Sequence, residues 1–242
     1  MSSNLNDPKI YYGEVGKAYL SNSDIDALLY NPKAFKQDKE TTKDMLAGSL
    51  FHALMIEPDR VEEFNSLVIE ASTRTTKVYK EFLEDRGLEI ALLQSEADQV
   101  HSMVEAMKTN DDFYNEIYQF GNDYELAGTT TIFGLPWKGK ADIVSDNFVI
   151  DLKTTSSIKD FKWSANKYNY DSQAYIYQEI FGKKLKFFVV EKETSNLAVF
   201  NCSDDFLERG YYKVKSACEN YELFFGENKS LNPNKFYLNQ TL

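Results

Sequence analysis

Cysteine is scarce in this 242-residue chain: Cys202 and Cys218 are the only two, and they form no CxxC pair. They read as free thiols in a reducing compartment, so no disulfide framework is expected to hold the fold. Histidine is equally rare, and imidazole chemistry must rest on His52 or His101. No apolar run approaches the ~18 residues of a membrane span. The N-terminus, Met1 to Asp7, has neither a basic stretch nor an apolar core, so secretion is not expected and the chain reads as cytoplasmic. A Walker A pattern is missing too, which places any helicase activity on another chain.

Positive charge is in short supply: 27 Lys+Arg stand against 38 Asp+Glu, a net charge of −11. That balance argues against broad non-specific attraction to nucleic acid. The deficit is uneven. Residues 1–120 hold 12 basic and 22 acidic side chains, whereas residues 128–190 hold 9 lysines and 6 acids. What is present in quantity is core material, 43% hydrophobic and 14% aromatic residues, the content of a folded protein. Without an internal repeat or a linker, residues 1–242 read as one domain, with an irregular arm at 1–19 and a polar tail at 226–242.

The chemistry concentrates between Gly139 and Thr155. Two β-branched runs, Ala141–Val144 and Phe148–Leu152, flank Asp146-Asn147, a pair suited to a two-residue hairpin loop. That loop pairs Val144 with Val149 and Ile143 with Ile150, and it sets Asp142 opposite Asp151. Opposed like charges are destabilising, and both strands are otherwise apolar enough to be buried. Two carboxylates there need a cation or a shared proton. Lys153 follows Asp151 by two residues and shares its face. The set Asp142, Asp151, Lys153 thus describes a metal site with a lysine beside it, against the plainer alternative of a solvated hairpin.

This arrangement resembles the PD-(D/E)xK nuclease superfamily, with Asp142 as the first acid and Asp151-Leu152-Lys153 as the D-x-K element. Further stretches are similar to the RecE-like and RecB-like phage exonucleases. One is Gly48-Ser49-Leu50-Phe51-His52 with Glu57-Pro58 after it, on a helix expected from Thr42 to Glu57. Another is Gln173-x-x-x-Tyr177 on a helix expected from Tyr168 to Phe181, where i, i+4 spacing points both side chains one way. An opening helix with Ser23 as N-cap and Pro32 at its end fits the same pattern.

The resemblance implies an α/β fold with a PD-(D/E)xK restriction-endonuclease-like core, a mixed central sheet flanked by helices. It implies that His52, Asp142, Asp151 and the Leu152 carbonyl hold Mg²⁺, with Mn²⁺ as a substitute, and that Lys153 positions or deprotonates a water. Gln173 and Tyr177 are then expected to orient Lys153 and the strand being cut. Two cysteines are too few for the four-cysteine iron–sulfur set of some RecB-like nucleases.

It also implies 5′→3′ digestion of linear double-stranded DNA from its ends, a ring-shaped homo-oligomer, a single-strand annealing partner, and a phage or prophage origin in a bacterial host. Single-strand exonuclease, endonuclease and catalytically silent DNA-binding scaffold remain open alternatives. Arg74 and Lys77 have counterparts that face DNA phosphate, with a solvated helix start as the equal alternative. Glu125 is either a site residue or an exposed edge carboxylate. His101 lies off the expected core face of its helix and receives no role.

Overall fold

A computed structural model describes residues 5–238. Its centre is a five-stranded sheet built from β3 (Asp123–Ile132), β4 (Leu135–Val144), β5 (Phe148–Thr155), β6 (Lys184–Glu191) and β7 (Leu197–Asn201) in that order. A separate parallel pair, β1 (Val68–Ile69) with β2 (Leu92–Leu93), lies outside it. Strands β5 and β6 are parallel and the other neighbours antiparallel. The mixed sheet with helices on both faces is the α/β class expected from the sequence.

Before β3 come α1 (Pro8–Tyr12), α2 (Glu14–Lys17), α3 (Ile25–Tyr30), α4 (Lys43–Ile56), α5 (Val61–Asn65), α6 (Lys77–Arg86), α7 (Gln94–Thr109) and α8 (Asp111–Ile117). After β5 come α9 (Phe161–Lys167) and α10 (Tyr170–Phe181), and α11 (Asp204–Phe224) follows β7. Helix α4 starts where Thr42 Oγ1 accepts from the Met45 amide and ends ahead of Pro58, close to the expected limits. Strand alternation divides the apolar residues into two cores. Ile143, Ile150, Leu152 and Phe188 pack with α4 and α7 residues such as Leu50, Phe51 and Met103. Val149, Phe187 and Val189 pack on the other face with Ala174, Ile176 and Val214 of α10 and α11.

Several local expectations are corrected. The arm is not irregular over its described part: it folds as α1 and α2, Tyr11 is buried, and Lys138 Nζ donates to the Tyr11 carbonyl. Residues 1–4 of the arm and 239–242 of the tail lie outside the described residues. Asp24, not Ser23, organises the first helical turn, because its carboxylate accepts from the Ser21 amide and hydroxyl. In the segment 88–93 only Leu92–Leu93 forms strand. Tyr79 Oη meets both the amide and the carbonyl of Ala91, which leaves that backbone nothing to offer a strand partner. Helix α8 was not anticipated, although Asn110 caps it through Oδ1 and two acids follow in its first turn.

The hairpin register holds as far as Ile143, with Val144 opposite Val149 and Ile143 opposite Ile150, but the expected pairing of Asp142 with Asp151 does not form. Its turn differs in chemistry. Neither Asp146 nor Asn147 takes a positive φ, and the Ser145 hydroxyl closes the loop on the Phe148 amide and carbonyl. Beyond Ile143 the two strands part. Strand β4 is taken up instead by Leu20, whose amide donates to Pro136 and whose carbonyl accepts from the Lys138 amide. Ala141 and Val144 consequently face the same core, so the alternation of β4 breaks between them, next to Asp142.

Candidate active site

The parting of β4 and β5 leaves backbone groups of β5 without a ladder partner, and Asp142 fills the gap. Its Oδ2 accepts from the Leu152 amide at 2.7 Å. In an extended chain the N–H and C=O of one residue point to the same strand edge, so the Leu152 carbonyl faces the same opening. Asp151 and Lys153 project together from β5 toward α10. The Asp151 carboxylate is 1% exposed, accepts from Gln173 Nε2 at 2.5 Å and forms an ion pair with Lys153. Lys153 Nζ also lies 5.0 Å from the Tyr170 ring centroid.

Helix α4 brings His52 to the opening, with Nδ1 3.6 Å from Asp142 Oδ2, beyond hydrogen-bond reach. Strand register brings Glu125 to the same point. Tyr124 pairs with Ile143 and Leu126 with Ala141, so Glu125 stands opposite Asp142, on a backbone with φ of 51°. One ligand atom each from His52, Glu125 and Asp142 lies within 4.8 Å of the others. Glu125 is therefore no exposed edge carboxylate. It is half-buried and paired with Lys140.

Electrostatics mark the same cluster. Burial, reinforced by Asp151, pushes the Asp142 carboxyl well above the ordinary carboxylate range. Burial and then Asp142 push Glu125 up as well, against the pull of Lys140. Burial lowers the His52 imidazole, and Lys153 lowers it further, so at neutral pH it is uncharged and free to donate a lone pair. For Lys153, burial alone favours loss of the proton, but Asp151 and Asp142 outweigh it and hold the ammonium above its usual range. The opening carries surplus buried negative charge next to a neutral imidazole and a backbone carbonyl. That donor set, oxygens with a single imidazole, fits a divalent cation such as Mg²⁺ or Mn²⁺.

A cleft of about 740 Å³ runs from His52, Glu125 and Asp142 past Lys140 and Lys138 to Lys36 and Arg60. Lys138 is buried under the Tyr11 ring, and burial, with Lys36 nearby, lowers its pKa to about 8. Lys140 and Lys138 escaped the sequence reading, although Lys138-x-Lys140-x-Asp142 repeats at the period of one strand face and was there to be seen. Tyr177 Oη donates to the Lys140 carbonyl at 2.6 Å and Gln173 holds Asp151, so these two side chains support the strands, and the α10 residue that meets Lys153 itself is Tyr170. Arg74 is tied to Glu96 and the Ala91 carbonyl, Lys77 to Glu81, and His101 is exposed on α7.

A family described as "PDDEXK-like domain of unknown function (DUF3799)" matches residues 20–230. No curated protein matches the sequence. Among solved structures, a "Putative exonuclease" from Eubacterium rectale is similar at 19% identity with a TM-score of 0.60, covering 97% of this chain and 95% of that one. A phage-related exonuclease from Haemophilus somnus is 11% identical, with a TM-score of 0.33 over 71% of this chain and 92% of its own. The first of these likenesses supports the fold; the second is too weak in superposition to carry weight.

Proposed function

The chain belongs to the PDDEXK-like family, and from that premise we propose that it is a metal-dependent exodeoxyribonuclease acting on the ends of linear double-stranded DNA. The observation that carries this reading is the meeting of Asp142, Asp151 and Lys153 where β4 and β5 part, with His52 and Glu125 delivered from elsewhere in the chain. His52, Glu125, Asp142, Asp151 and the Leu152 carbonyl are the groups that would hold Mg²⁺. A cation so bound supplies Lewis-acid polarisation of the phosphate and a water of lowered pKa.

The chain's own residues do the rest. Lys153, kept protonated by its two carboxylates, offers a positive charge and N–H donors to the negative charge that builds on the phosphate. General-base action would require a bound cation to bring this raised lysine pKa down toward neutrality. Gln173 fixes the Asp151 rotamer through its 2.5 Å bond, and Tyr177 fixes the strand that carries Lys140 and Asp142. Lys138, Lys140 and Lys36 lie along the cleft among its carboxylates and are the groups that would meet a phosphodiester backbone.

A 5′→3′ polarity, a ring-shaped oligomer and a role beside a single-strand annealing protein in phage-type recombination complete the reading. These three rest on the resemblance to RecE-like exonucleases. The test is a linear duplex labelled at one end or the other, incubated with Mg²⁺ or with EDTA, using wild type and Lys153→Ala. Early release of the 5′ label, lost with EDTA and in the variant, is the expected result. Release from the 3′ end overturns the polarity, cleavage of a covalently closed circle overturns the exonuclease assignment, and undiminished cleavage by Lys153→Ala overturns the site.

A further inference from the structure

Outside the cleft, the loop and helix after β5 present large aromatic rings to solvent. Trp163, in the first turn of α9, is 66% exposed, and Tyr168, just past its last residue, is 54% exposed. Core packing does not explain them. Phe161 and Ala165 of the same helix are buried and face the sheet, whereas these two rings do not.

Each ring has a lysine from the neighbouring position over it: Lys162 Nζ is 5.1 Å from the Trp163 centroid, and Lys167 Nζ is 5.3 Å from that of Tyr168. From Tyr168 the rings lead on toward Lys153. The Tyr168 ring lies 6.0 Å from Tyr170, and Tyr170 carries Lys153 Nζ on its face at 5.0 Å. Lys159, Lys162 and Lys167 are exposed in this stretch, against Asp160, which bonds the Ser157 hydroxyl. In a chain of net charge −11, this is a locally cationic, aromatic surface.

We propose that Trp163 and Tyr168, with Lys162 and Lys167, form a stacking ledge for unpaired bases of a single DNA strand beside the reacting centre. The inference deepens the nuclease reading and rests on it. Exposed rings interleaved with lysines suit bases whose faces are uncovered and whose backbone is anionic. A duplex hides its base faces within the stack, so it has little to offer such a surface. The ledge then holds the strand that is being separated at a DNA end, in line with Tyr170 and Lys153. The rings read no base edge, so the binding is tolerant of sequence.

Binding is measured in EDTA, which keeps it apart from cleavage. A short labelled oligothymidylate is titrated with the full-length protein, and fluorescence anisotropy is followed for wild type, Trp163→Ala, Trp163→Phe, Tyr168→Ala and the double alanine variant. A dumbbell duplex closed at both ends by base-free polyether linkers serves as the second ligand. Loss of one stacking ring is expected to weaken oligothymidylate binding by about fivefold or more, with Trp163→Phe intermediate and the dumbbell unaffected. Trp137 is fully buried, so quenching of the solvent-exposed Trp163 emission by oligothymidylate gives an independent readout.

Unchanged affinity in the double alanine variant overturns the ledge. So does an equal loss on the dumbbell, or a wild type that binds no oligothymidylate. Circular dichroism confirms that each variant is folded. Failure of the nuclease reading has a different signature: intact linear DNA in Mg²⁺ while the ring-dependent binding persists.

Discussion

Asp142→Asn separates stability from function in this site. The donor atoms of Asp142 and Glu125 lie within 4.8 Å of each other, and Asp151 adds to the negative field on Asp142. At that separation two unit charges in a medium of effective dielectric constant ~20 repel by about 3.5 kcal/mol. Lys140 and Lys153 offset roughly half, so neutralising Asp142 should stabilise the metal-free protein by about 1–2 kcal/mol. An asparagine still presents an oxygen to the Leu152 amide, so the strand opening keeps its bond.

For a chain of this size the gain corresponds to about 2–8 °C in Tm. The pH sign follows from the same cause. Because the fold favours the protonated Asp142 carboxyl, the contribution of this group to stability in chelator is greatest below the ordinary carboxylate range. It falls as pH climbs from that range through the raised native value, and Asp142→Asn removes this slope. Magnesium reverses the ranking. At a concentration of about a hundred times Kd it adds about 2.7 kcal/mol to the wild type and far less to the variant. Thermal melts in EDTA and in Mg²⁺ measure both effects. A variant that melts below wild type in EDTA, or one that gains as much from Mg²⁺, would refute the charge argument.

Other substitutions test the supporting shell. Gln173→Leu leaves one oxygen of the buried Asp151 without its amide donor, and the urea midpoint should report a loss of about 1.5–3 kcal/mol. In Gly210→Ala the new Cβ would stand 2.1 Å from the Asp171 carbonyl oxygen, a backbone atom that cannot step aside. The α10–α11 contact should open at a cost of about 1–3 kcal/mol, seen as a lower Tm. Lys138 titrates near 8 in the fold, so the unfolded chain binds more protons between there and the ordinary lysine range. Stability should therefore rise with pH across that window, on the order of 3 kcal/mol in total. Denaturation at several pH values should show Lys138→Met lacking this rise; a parallel rise in both proteins would dismiss it.

Much of this protein was legible in order along the chain. The β4–β5 register followed from alternating apolar residues around a turn, because a one-residue slip would turn every core side chain to the wrong face. The same alternation put Asp151 and Lys153 on one face, and helical spacing put Gln173 and Tyr177 on one side of α10. His52, too, stood out in its local pattern. These are properties of neighbours in sequence, set by the periods of strand and helix.

Tertiary structure decided what depends on distant segments. Glu125 meets His52 and Asp142 only through pairing with β4, and β4, once parted from β5, pairs at Trp137 with Leu20, far off in the chain. Whether Lys153 gives up or keeps its proton is likewise invisible in sequence. Burial and two carboxylates pull it in opposite directions, and only their distances settle the balance. The exposure of Trp163 and Tyr168 is of the same kind, since an aromatic-rich stretch reads as core until the neighbouring segments are seen to leave it uncovered. Local periodicity fixes which face a side chain takes; what meets that face is decided by the packing of segments that periodicity does not connect.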